Sequence, residues 1–564
     1  EQFAGLPGDG AVITHPAIMR ILSSACAALL LPLLAAPLAA QEAQPAPVAS
    51  LPPDQAAIKA HVMFLASDAM KGREAGSGEY DIAAQYVASR FYAAGLRPGG
   101  DAGGYLQAVP LVSYRPDGGG RVVRTMGGKA ETLVAGTDYA ALADPHRAKV
   151  SLSGEIVFVG FGVSAPDRGR DDYAGVDVKG KIVAVLPGAP RDMNAEERAY
   201  LGGGDAKAKA AAAHGAIGVI LLATPGSAEK APFERTAERT AKPRMTYAEA
   251  DGTGHGDAPI PTVATFSEAG AAKLFAGART PWAALVKEAK KKLPRYTAEA
   301  LPGVVELESA SSYGKAASSN VIGVIPGRDP ALAKEVLVLS AHLDHIGVTA
   351  PDENGDAINN GALDDAIGIA SLIEEAKRFK AQPPRRTILF VAFTAEEKGL
   401  IGSAWFTAHP TVPIGEIVAD VNLDMPILTY RFEDMVAFGG DRSTLGPVIA
   451  RATAAIGVTM SPDPMPDEAI FVRSDHFNFV RRGIPSVFLW PGEKGPGKDA
   501  TSTFMSKHYH RPSDDLTQPI MWDQAVRFVD ANYRIAREIA DADARPVWNK
   551  GDYFGALFGG PMAR

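Results

Sequence analysis

The sequence predicts an α/β fold in which a mainly parallel or mixed sheet is covered by helices on both faces. From about residue 320, near-continuous apolar runs alternate with helical segments: NVIGVI, EVLVLSA, TILFVAF, EIVADVNL and IPSVFLW. Strands that are apolar on both faces are typical of a sheet buried between helices. One intervening segment, DAIGIASLIEEAKRF, has apolar residues at helical spacing, and a final amphipathic helix is predicted from about Trp522 to Ala540.

Two upstream regions have a different pattern. EYDIAAQYVASRFYAAGL at 79–96 carries apolar residues on one helical face and stops near Gly95. From about residue 150, short strands such as KGKIVAVLPG and IGVILLAT and a helical KAKAAAAHGA are separated by Gly and Pro, which predicts a separate small module. Gly160 and Gly162 imitate a dinucleotide fingerprint, but Pro166 follows where a helix should open, so we discard that interpretation.

The N-terminus has the layout of an export signal. Met19 and Arg20 precede the apolar run ILSSACAALLLPLLAAPLAA, and the polar QEAQPAPVAS follows. We expect an upstream extension at 1–18, a signal peptide at 19–40 and a linker at 41–53, and therefore an exported, periplasmic or secreted protein without a stable membrane anchor. A transmembrane anchor is the alternative, but two prolines and a short apolar run favour a signal.

Composition limits the possible chemistry. The single cysteine, Cys26, lies inside the predicted signal, so any metal in the mature chain must be held by His, Asp and Glu. With 46% apolar residues and a net charge of -8, the sequence describes a globular protein without the basic stripe of a nucleic-acid binder. Its 564 residues predict two to four domains.

Polar side chains gather where the predicted strands end. Ligands of open α/β sheets bind beyond the carboxyl ends of the strands. The residues found there, and in the C-terminal segment KHYHRPSDD, are His342, Asp344, His345, Asp364, Asp365, Glu396, Glu397, Asp424, His508, His510, Asp514 and Asp515. Carboxylates gathered in one cleft would repel each other unless a cation neutralised them.

Three other site classes fit less well. Asp352, Asn354 and Asp356 have the spacing of a calcium loop, but the Gly and the closing Glu of that loop are missing, so a turn-rich lid is expected. Neither the G-x-S-x-G elbow of serine hydrolases nor the H-E-x-x-H helix of single-zinc proteases occurs. A mixed His and carboxylate set without Cys suits two zinc ions, or cobalt or manganese, that share a bridging carboxylate.

A set of ordered motifs resembles the dizinc aminopeptidases of metallopeptidase family 28, clan MH. The motifs are AHLDHIG, NNGALDDAIG, TAEEKGLIGS, NLDM, SDHFNFVRRGIPSV and YHRPSDD, and MKGREAGSGEYDIAAQYVASRFYAAGLRPGG is similar to that family's N-terminal part. DDYAGVDVKGKIVAVLPG and AHGAIGVI resemble its inserted protease-associated domain. The resemblance implies a catalytic domain at 54–134 and 296–545, the small β-rich α+β insert at 135–295, and a tail at 546–564.

The resemblance also implies a role for each matching residue. His342 and Asp424 would bind one zinc, Glu397 and His510 the other, and Asp364 would bridge them. Glu396 would be the catalytic base, and Tyr509 would help to hold the tetrahedral intermediate.

The neighbours of these residues are expected to have supporting roles. Asp344 would orient the imidazole of His342 through its carboxylate. Structural or rim roles are expected for His345, His476 and His508, because the ligand set is already full. Asp365 and Ile367, which flank the expected bridge, depart from the family pattern, where Asn and Ser are common.

The predicted activity is release of N-terminal residues from peptide substrates. The alternatives are a carboxypeptidase acting on acidic dipeptides, a one-zinc glutaminyl cyclase and a non-catalytic binding protein on the same scaffold.

Overall fold

A computed structural model of the chain describes residues 50–564. The predicted upstream extension, the signal peptide and residues 41–49 of the predicted linker lie outside the described residues. Within the described part, no helix combines the length and the apolar character that a bilayer span requires.

The strands and α-helices of residues 50–564 follow in chain order. The strands are β1 (Arg97–Pro98), β2 (Leu106–Pro116), β3 (Arg121–Met126), β4 (Lys129–Thr132), β5 (Tyr139–Ala141), β6 (Lys149–Phe158), β7 (Ser164–Ala165), β8 (Arg170–Asp171), β9 (Ile182–Val185), β10 (Gly218–Leu222), β11 (Arg244–Tyr247), β12 (Thr262–Phe266), β13 (Glu299–Ile325), β14 (Val336–His342), β15 (Gly347–Val348), β16 (Ile358–Asn359), β17 (Thr387–Phe393), β18 (Ile417–Asn422), β19 (Asp434–Phe438), β20 (Thr459–Ser461) and β21 (Ser486–Pro491). The helices are α1 (Pro53–Leu65), α2 (Gly78–Ala93), α3 (Ala195–Leu201), α4 (Gly204–Ala213), α5 (Phe233–Ala241), α6 (Glu268–Leu274), α7 (Trp282–Ala289), α8 (Ile367–Ala381), α9 (Ile401–Ala408), α10 (Leu445–Ala454), α11 (His476–Val480), α12 (Gly497–Lys507), α13 (Trp522–Asp541) and α14 (Tyr553–Leu557).

The first sheet is mixed, with a parallel centre. Its strand order is β11-β2-β13-β17-β14-β18-β21-β19-β20, and β17, β14, β18 and β21 run parallel to one another. Antiparallel strands flank this centre on both sides. The predicted α/β fold with a mainly parallel or mixed sheet is therefore confirmed.

Helices cover both faces of the first sheet. Its central strands are largely apolar, and alternating side chains place apolar groups on each face. In β14, Leu337 and Leu339 belong to the core that contains α8 and α13, whereas Val338 belongs to the core that contains Phe406 of α9 and Phe479 of α11. A strand presents successive side chains to opposite faces, so an all-apolar strand needs a cover on each side. This is the physical reason for the unbroken apolar runs.

The second sheet shares β13 with the first. Residues 304–308 of β13 pair with β3 and residues 299–310 with β6, while residues 311–325 pair within the first sheet. From β6 the order continues through β9, β10 and β12 to β5. This sheet has its own apolar core and includes β3, β4 and the first part of β13, so it extends beyond the predicted segment 135–295 on both sides.

The predicted helices occur close to their expected bounds. The 79–96 segment forms α2, and the C-terminal amphipathic segment forms α13. Helix α8 begins at Ile367, two residues after the start of the predicted segment, because a π-helical turn occupies Ala362–Ala366. Asp365 in that turn accepts a hydrogen bond at 3.1 Å from the backbone N–H of Gly368, in the first turn of α8.

Candidate metal centre

The centre lies where three parallel strands of the first sheet end. His342 is the last residue of β14, the pair Glu396 and Glu397 follows β17, and Asp424 follows β18. The register sets His342 beside Phe393 of β17, so these ends coincide at one edge. Asp364 reaches the same edge from the turn before α8, and His510 from the loop after α12.

The first group of ligand-type residues surrounds the ring of His342. Its Nε2 lies 3.0 Å from Asp364 Oδ1 and 3.2 Å from Asp424 Oδ1. Its Nδ1 donates to the backbone carbonyl of Asp344 at 3.1 Å. Because a carbonyl can only accept, this bond places a proton on Nδ1 and leaves Nε2 to face the two carboxylates.

The second group surrounds Glu397 and shares Asp364 with the first. His510 Nε2 lies 3.1 Å from Glu397 Oε2 and 3.4 Å from Asp364 Oδ2. His345 Nδ1 lies 2.8 Å from Glu397 Oε1 and 3.9 Å from Asp364 Oδ2. Asp364 thus presents one oxygen to each group, which is the arrangement expected of a bridging carboxylate.

Both groups fit metal ions. Each offers at least three donor atoms from His and carboxylates within 4.8 Å of one another. The buried atoms His345 Nδ1, His345 Nε2 and Glu397 Oε1 have no hydrogen-bond partner in the described part of the chain. Unpaired buried polar atoms are costly, and a cation between them would remove that cost. Imidazole and carboxylate without thiolate suit zinc, cobalt or manganese.

The two adjacent glutamates differ in electrostatics. Burial raises the pKa of Glu396 well above its usual value. The positive charge of a protonated His342 acts to lower this pKa, but the negative charges of Asp424 and Glu397 raise it further. Burial and Asp364 also act to raise the pKa of Glu397, but His345 and His510 outweigh them and lower it to about 2. The chain therefore favours an ionised carboxylate at 397 and a proton-accepting carboxylate of higher basicity at 396.

Asp344 acts through different atoms than the sequence predicted. Its backbone carbonyl, not its carboxylate, holds the imidazole of His342. The carboxylate accepts from the backbone N–H groups of Glu396 at 3.0 Å and Glu397 at 3.3 Å. Asp344 directs its backbone carbonyl towards Nδ1 of His342, so the Asp344 side chain can reach the loop that follows β17. The prediction that this carboxylate orients the imidazole was wrong.

Two further carboxylates, Asp365 and Asp514, fix the loops that carry the ligands. Asp365 Oδ1 accepts from the backbone N–H of Met425 at 3.0 Å, and its Oδ2 accepts from that of His342 at 3.3 Å. Asp514 accepts from the backbone N–H groups of Leu363 at 3.0 Å and Asp364 at 3.1 Å. Both oxygens of Asp365 accept from backbone donors, whereas the amide of Asn, which is common here in the family pattern, would turn a donor towards one of them.

Arg73 has a positioning role that the sequence did not reveal. The side chain is fully buried and donates to the backbone carbonyls of Leu343 at 2.9 Å, Asn360 at 2.5 Å and Gly361 at 3.1 Å. It also donates to the carbonyl of Leu65 at 2.7 Å. Arg73 thereby ties the N-terminal segment to two ligand-bearing loops. The motif MKGREAG was the available signal, but none of its residues belongs to the predicted ligand set, and only the fold brings it to the site.

The remaining predicted residues lie as follows. Tyr509 stacks on the ring of His510 with centroids 3.8 Å apart, and burial, with Asp364 next, raises its pKa well above the usual value. His476 is fully buried, and the ring of His508 meets Ser513 Oγ at 2.9 Å. His345 is fully buried against the second group, so a rim position is excluded for it.

The tip between β15 and β16 carries the calcium-like spacing. Asp352 Oδ1 accepts from the backbone N–H groups of Asn354 at 2.8 Å and Asp356 at 3.0 Å. Asp352 therefore acts as a turn residue within a two-stranded hairpin.

Left-handed backbone occurs at one predicted site residue and beside two others. Ala395, Met425 and His510 have φ of 54°, 47° and 56°. Non-glycine residues rarely adopt this region, and such residues cluster at functional sites. At Ala395 and Met425 the backbone turns sharply at a strand end, next to the residue that carries the carboxylate.

The fold and the site together define an α/β protein with a candidate metal centre at the carboxyl ends of parallel strands. The amino-acid sequence of residues 320–536 matches the model of peptidase family M28. The family resemblance drawn from the motifs is thereby confirmed for this part of the chain.

Curated relatives cover the chain in part. A probable leucine aminopeptidase 2 of Aspergillus oryzae is 26% identical over 238 residues, which is 39% of this chain and 44% of that protein. A probable zinc metalloprotease of Pyricularia oryzae is 36% identical over 276 residues, 44% of this chain and 53% of that protein. The matches thus span about half the length of these two relatives or less.

Solved structures of aminopeptidases resemble the chain at low identity. An aminopeptidase from Aneurinibacillus sp. strain AM-1 is 20% identical with a TM-score of 0.47, over 87% of this chain and 95% of that chain. A zinc aminopeptidase from Bacillus subtilis is 18% identical with a TM-score of 0.43, over 88% and 98% of the two chains.

Proposed function

We propose that the chain is an exported peptidase that uses two zinc ions to hydrolyse peptide bonds, as an aminopeptidase releasing N-terminal residues. The observation that carries the proposal is the pair of His and carboxylate groups that share Asp364. His342, Asp364 and Asp424 would hold one ion, and Asp364, Glu397 and His510 the other. When bound, zinc polarises a peptide carbonyl and lowers the pKa of water towards neutrality.

The chain's own residues divide the remaining work. Glu396 would accept the proton of the attacking water and pass it to the leaving amine, and its raised pKa brings its basicity closer to the working pH. Tyr509 would donate its phenolic O–H to the oxyanion that develops on the carbonyl. Its raised pKa keeps that proton in place at neutral pH.

The part of the chain that forms the second sheet resembles a protease-associated domain in sequence. We propose that it shapes access to the cleft. A cavity of about 540 Å³ lies between the two parts of the molecule. Its lining combines Lys209 and Asp257 with Leu400, Asn478 and Arg481, which lie near the loop after Glu397. This region supplies none of the proposed ligands, so a role in access or partner binding is favoured over chemistry.

Export is proposed from the sequence alone, on the signal-like layout of residues 19–40. Edman sequencing of the protein recovered from the host would check it. A mature N-terminus near residue 41 in the periplasmic or medium fraction is expected.

The decisive test of the function combines a substrate panel with metal analysis. Aminoacyl, N-terminally blocked and N-terminal glutaminyl peptides should be assayed with the zinc-loaded and the chelator-treated protein. An aminopeptidase should cleave only free N-termini, bind about two zinc equivalents and lose activity after chelation. Full activity with one zinc equivalent would favour a glutaminyl cyclase. Cleavage of acidic dipeptides from the carboxyl end would favour a carboxypeptidase. Zinc binding without turnover would favour a non-catalytic binding protein.

A further inference from the structure

We propose that His345 is a fourth protein ligand of the second metal position, so that the two positions of the centre are unequal. The first position would have three protein donors, from His342, Asp364 and Asp424. The second would have four, since His345 joins Asp364, Glu397 and His510. The inference rests on the proposed two-metal function and adds a ligand to it.

The first argument is the environment of the His345 ring. The residue is fully buried, and its Nδ1 lies 2.8 Å from Glu397 Oε1. Despite this short distance the two atoms do not form a hydrogen bond, and neither has another hydrogen-bond partner among the described residues. The oxygen therefore lies off the direction in which the ring nitrogen would donate. Two close, buried and unpaired donor atoms are what a shared cation requires.

The second argument is that the ring is held in place from several sides. The backbone N–H of His345 donates to the carbonyl of Arg73 at 3.3 Å, and the ring meets that of His510 edge-on, with centroids 5.9 Å apart. At Gly361, where φ is +61°, an added Cβ would stand 2.6 Å from Cγ of His345 and still closer to the backbone oxygen of Asp364. A larger residue at 361 would displace the ring or the Asp364 backbone, so glycine allows both to keep their positions in the second group.

The unequal ligand counts have a consequence for the two ions. Zinc with four protein donors is typical of structural sites, whereas three protein donors are typical of catalytic sites that keep a position for water. We therefore infer that the ion of the second position is retained more tightly, and that the ion of the first position exchanges more readily.

The experiment is a zinc competition titration of the full chain with a chromophoric chelator, together with metal analysis after dialysis. His345→Gln is the test variant, because Gln can still donate a hydrogen bond to Glu397 but lacks the imidazole donor. His345→Ala removes both capacities. His476→Gln is the matched control, since His476 is another fully buried histidine whose ring nitrogens have no hydrogen-bond partner among the described residues and which lies outside both groups.

The expected result is one tight and one weaker zinc equivalent in the unchanged protein. His345→Gln and His345→Ala should weaken the tight equivalent by more than about 100-fold, beyond the 10- to 100-fold cost of losing a residue that only orients a ligand. His476→Gln should leave both affinities unchanged. Circular dichroism tests whether each variant is folded. If His345→Ala does not fold, the zinc affinity of His345→Gln alone decides the question.

Two results would overturn the inference while leaving the proposed function intact. One is two zinc equivalents of unchanged affinity in His345→Gln. The other is a loss in His345→Ala that His345→Gln restores, which would make His345 a positioning residue for Glu397. A single zinc equivalent in the fully active, unchanged protein would instead contradict the two-metal function itself.

Discussion

The carboxyl ends of the parallel strands carry different chemistry in the two sheets. In the first sheet, His342, Glu397 and Asp424 follow or end the strands and converge on Asp364. In the second sheet, β6, β9 and β10 are also parallel, but VGFG, LPGAP and LATPG follow them. Among residues 50–564, both groups that could hold a metal lie at the first sheet.

At the carboxyl ends of the strands in each sheet, one buried cationic side chain donates hydrogen bonds to the backbone carbonyls of two loops. Lys207 donates to the carbonyls of Phe161 and, at 2.6 Å, Gly188, in the loops after β6 and β9. Arg73 does the same for Leu343 and Asn360 at the first edge. There, however, Asp344, Asp365 and Asp514 also satisfy backbone N–H groups. At the first edge, separate residues satisfy the loop backbone, and the His, Asp and Glu side chains that do not have this task form the site.

The largest effect should follow from replacing the one side chain at the first edge that is proposed to move a proton. Glu396→Gln keeps the shape but removes the base, so kcat should fall by about 10²- to 10⁴-fold with both metals retained. Steady-state kinetics beside metal analysis measures this. Glu375→Gln is the control, because Glu375 is a fully buried carboxylate on α8, outside both ligand groups, and its loss should leave kcat unchanged.

An unchanged kcat in Glu396→Gln would remove the residue from the mechanism. Zinc loss in this variant, with both ions kept in Glu397→Gln, would reverse the assignment of the two neighbours.

The sequence predicted most of the fold, because apolar periodicity reports burial directly. The runs that became β14, β17 and β18 were identified, and so was the edge at which they end. The sequence could not predict the role of Arg73, since its partners are backbone carbonyls far along the chain. For Asp344, residue type suggested a carboxylate acting on imidazole, and only the turn geometry shows that the carbonyl acts instead. His345 was assigned a supporting role because five ligands already filled the family pattern.

The second effect in size concerns the metal itself. Glu397→Gln exchanges an anionic ligand for a neutral one at the position where His345 and His510 hold an ionised carboxylate. The variant should lose about one zinc equivalent, and excess zinc should partly restore its activity. Inductively coupled plasma analysis and a zinc titration of activity check both points. Two firmly bound ions in this variant would exclude Glu397 from the ligand set.

Arg73→Met should reduce the free energy of unfolding by about 3–5 kcal/mol, because four buried carbonyls lose their donor. Two of those loops carry ligands, so zinc affinity should fall as well. Urea unfolding with and without a chelator separates the two effects.

Lys207→Met is the matched variant at the second edge. It should lower the free energy of unfolding by about 1–3 kcal/mol and leave zinc affinity unchanged. Equal effects of the two variants on zinc would show that the tie at the first edge has no special relation to the metal centre.

The smallest effect should come from the contact between the two parts of the molecule. There, His255 lies 2.5 Å from Glu249 and 3.3 Å from Asp257. Asp257 also pairs with Arg481, which lies near the first sheet. Burial acts to lower the pKa of His255, but the two carboxylates outweigh it and raise the pKa above its usual value. A raised pKa means that the stabilisation is fully present below about pH 6.5 and is lost as the pH rises through the folded-state value. We expect His255→Gln to remove a contribution of less than about 1 kcal/mol at pH 5.5 and almost nothing at pH 9, measured by urea unfolding at both values. A variant that lost more stability at pH 9 than at pH 5.5 would show that the neutral ring, packed on Tyr247 at 4.2 Å between centroids, contributes more than the charge does.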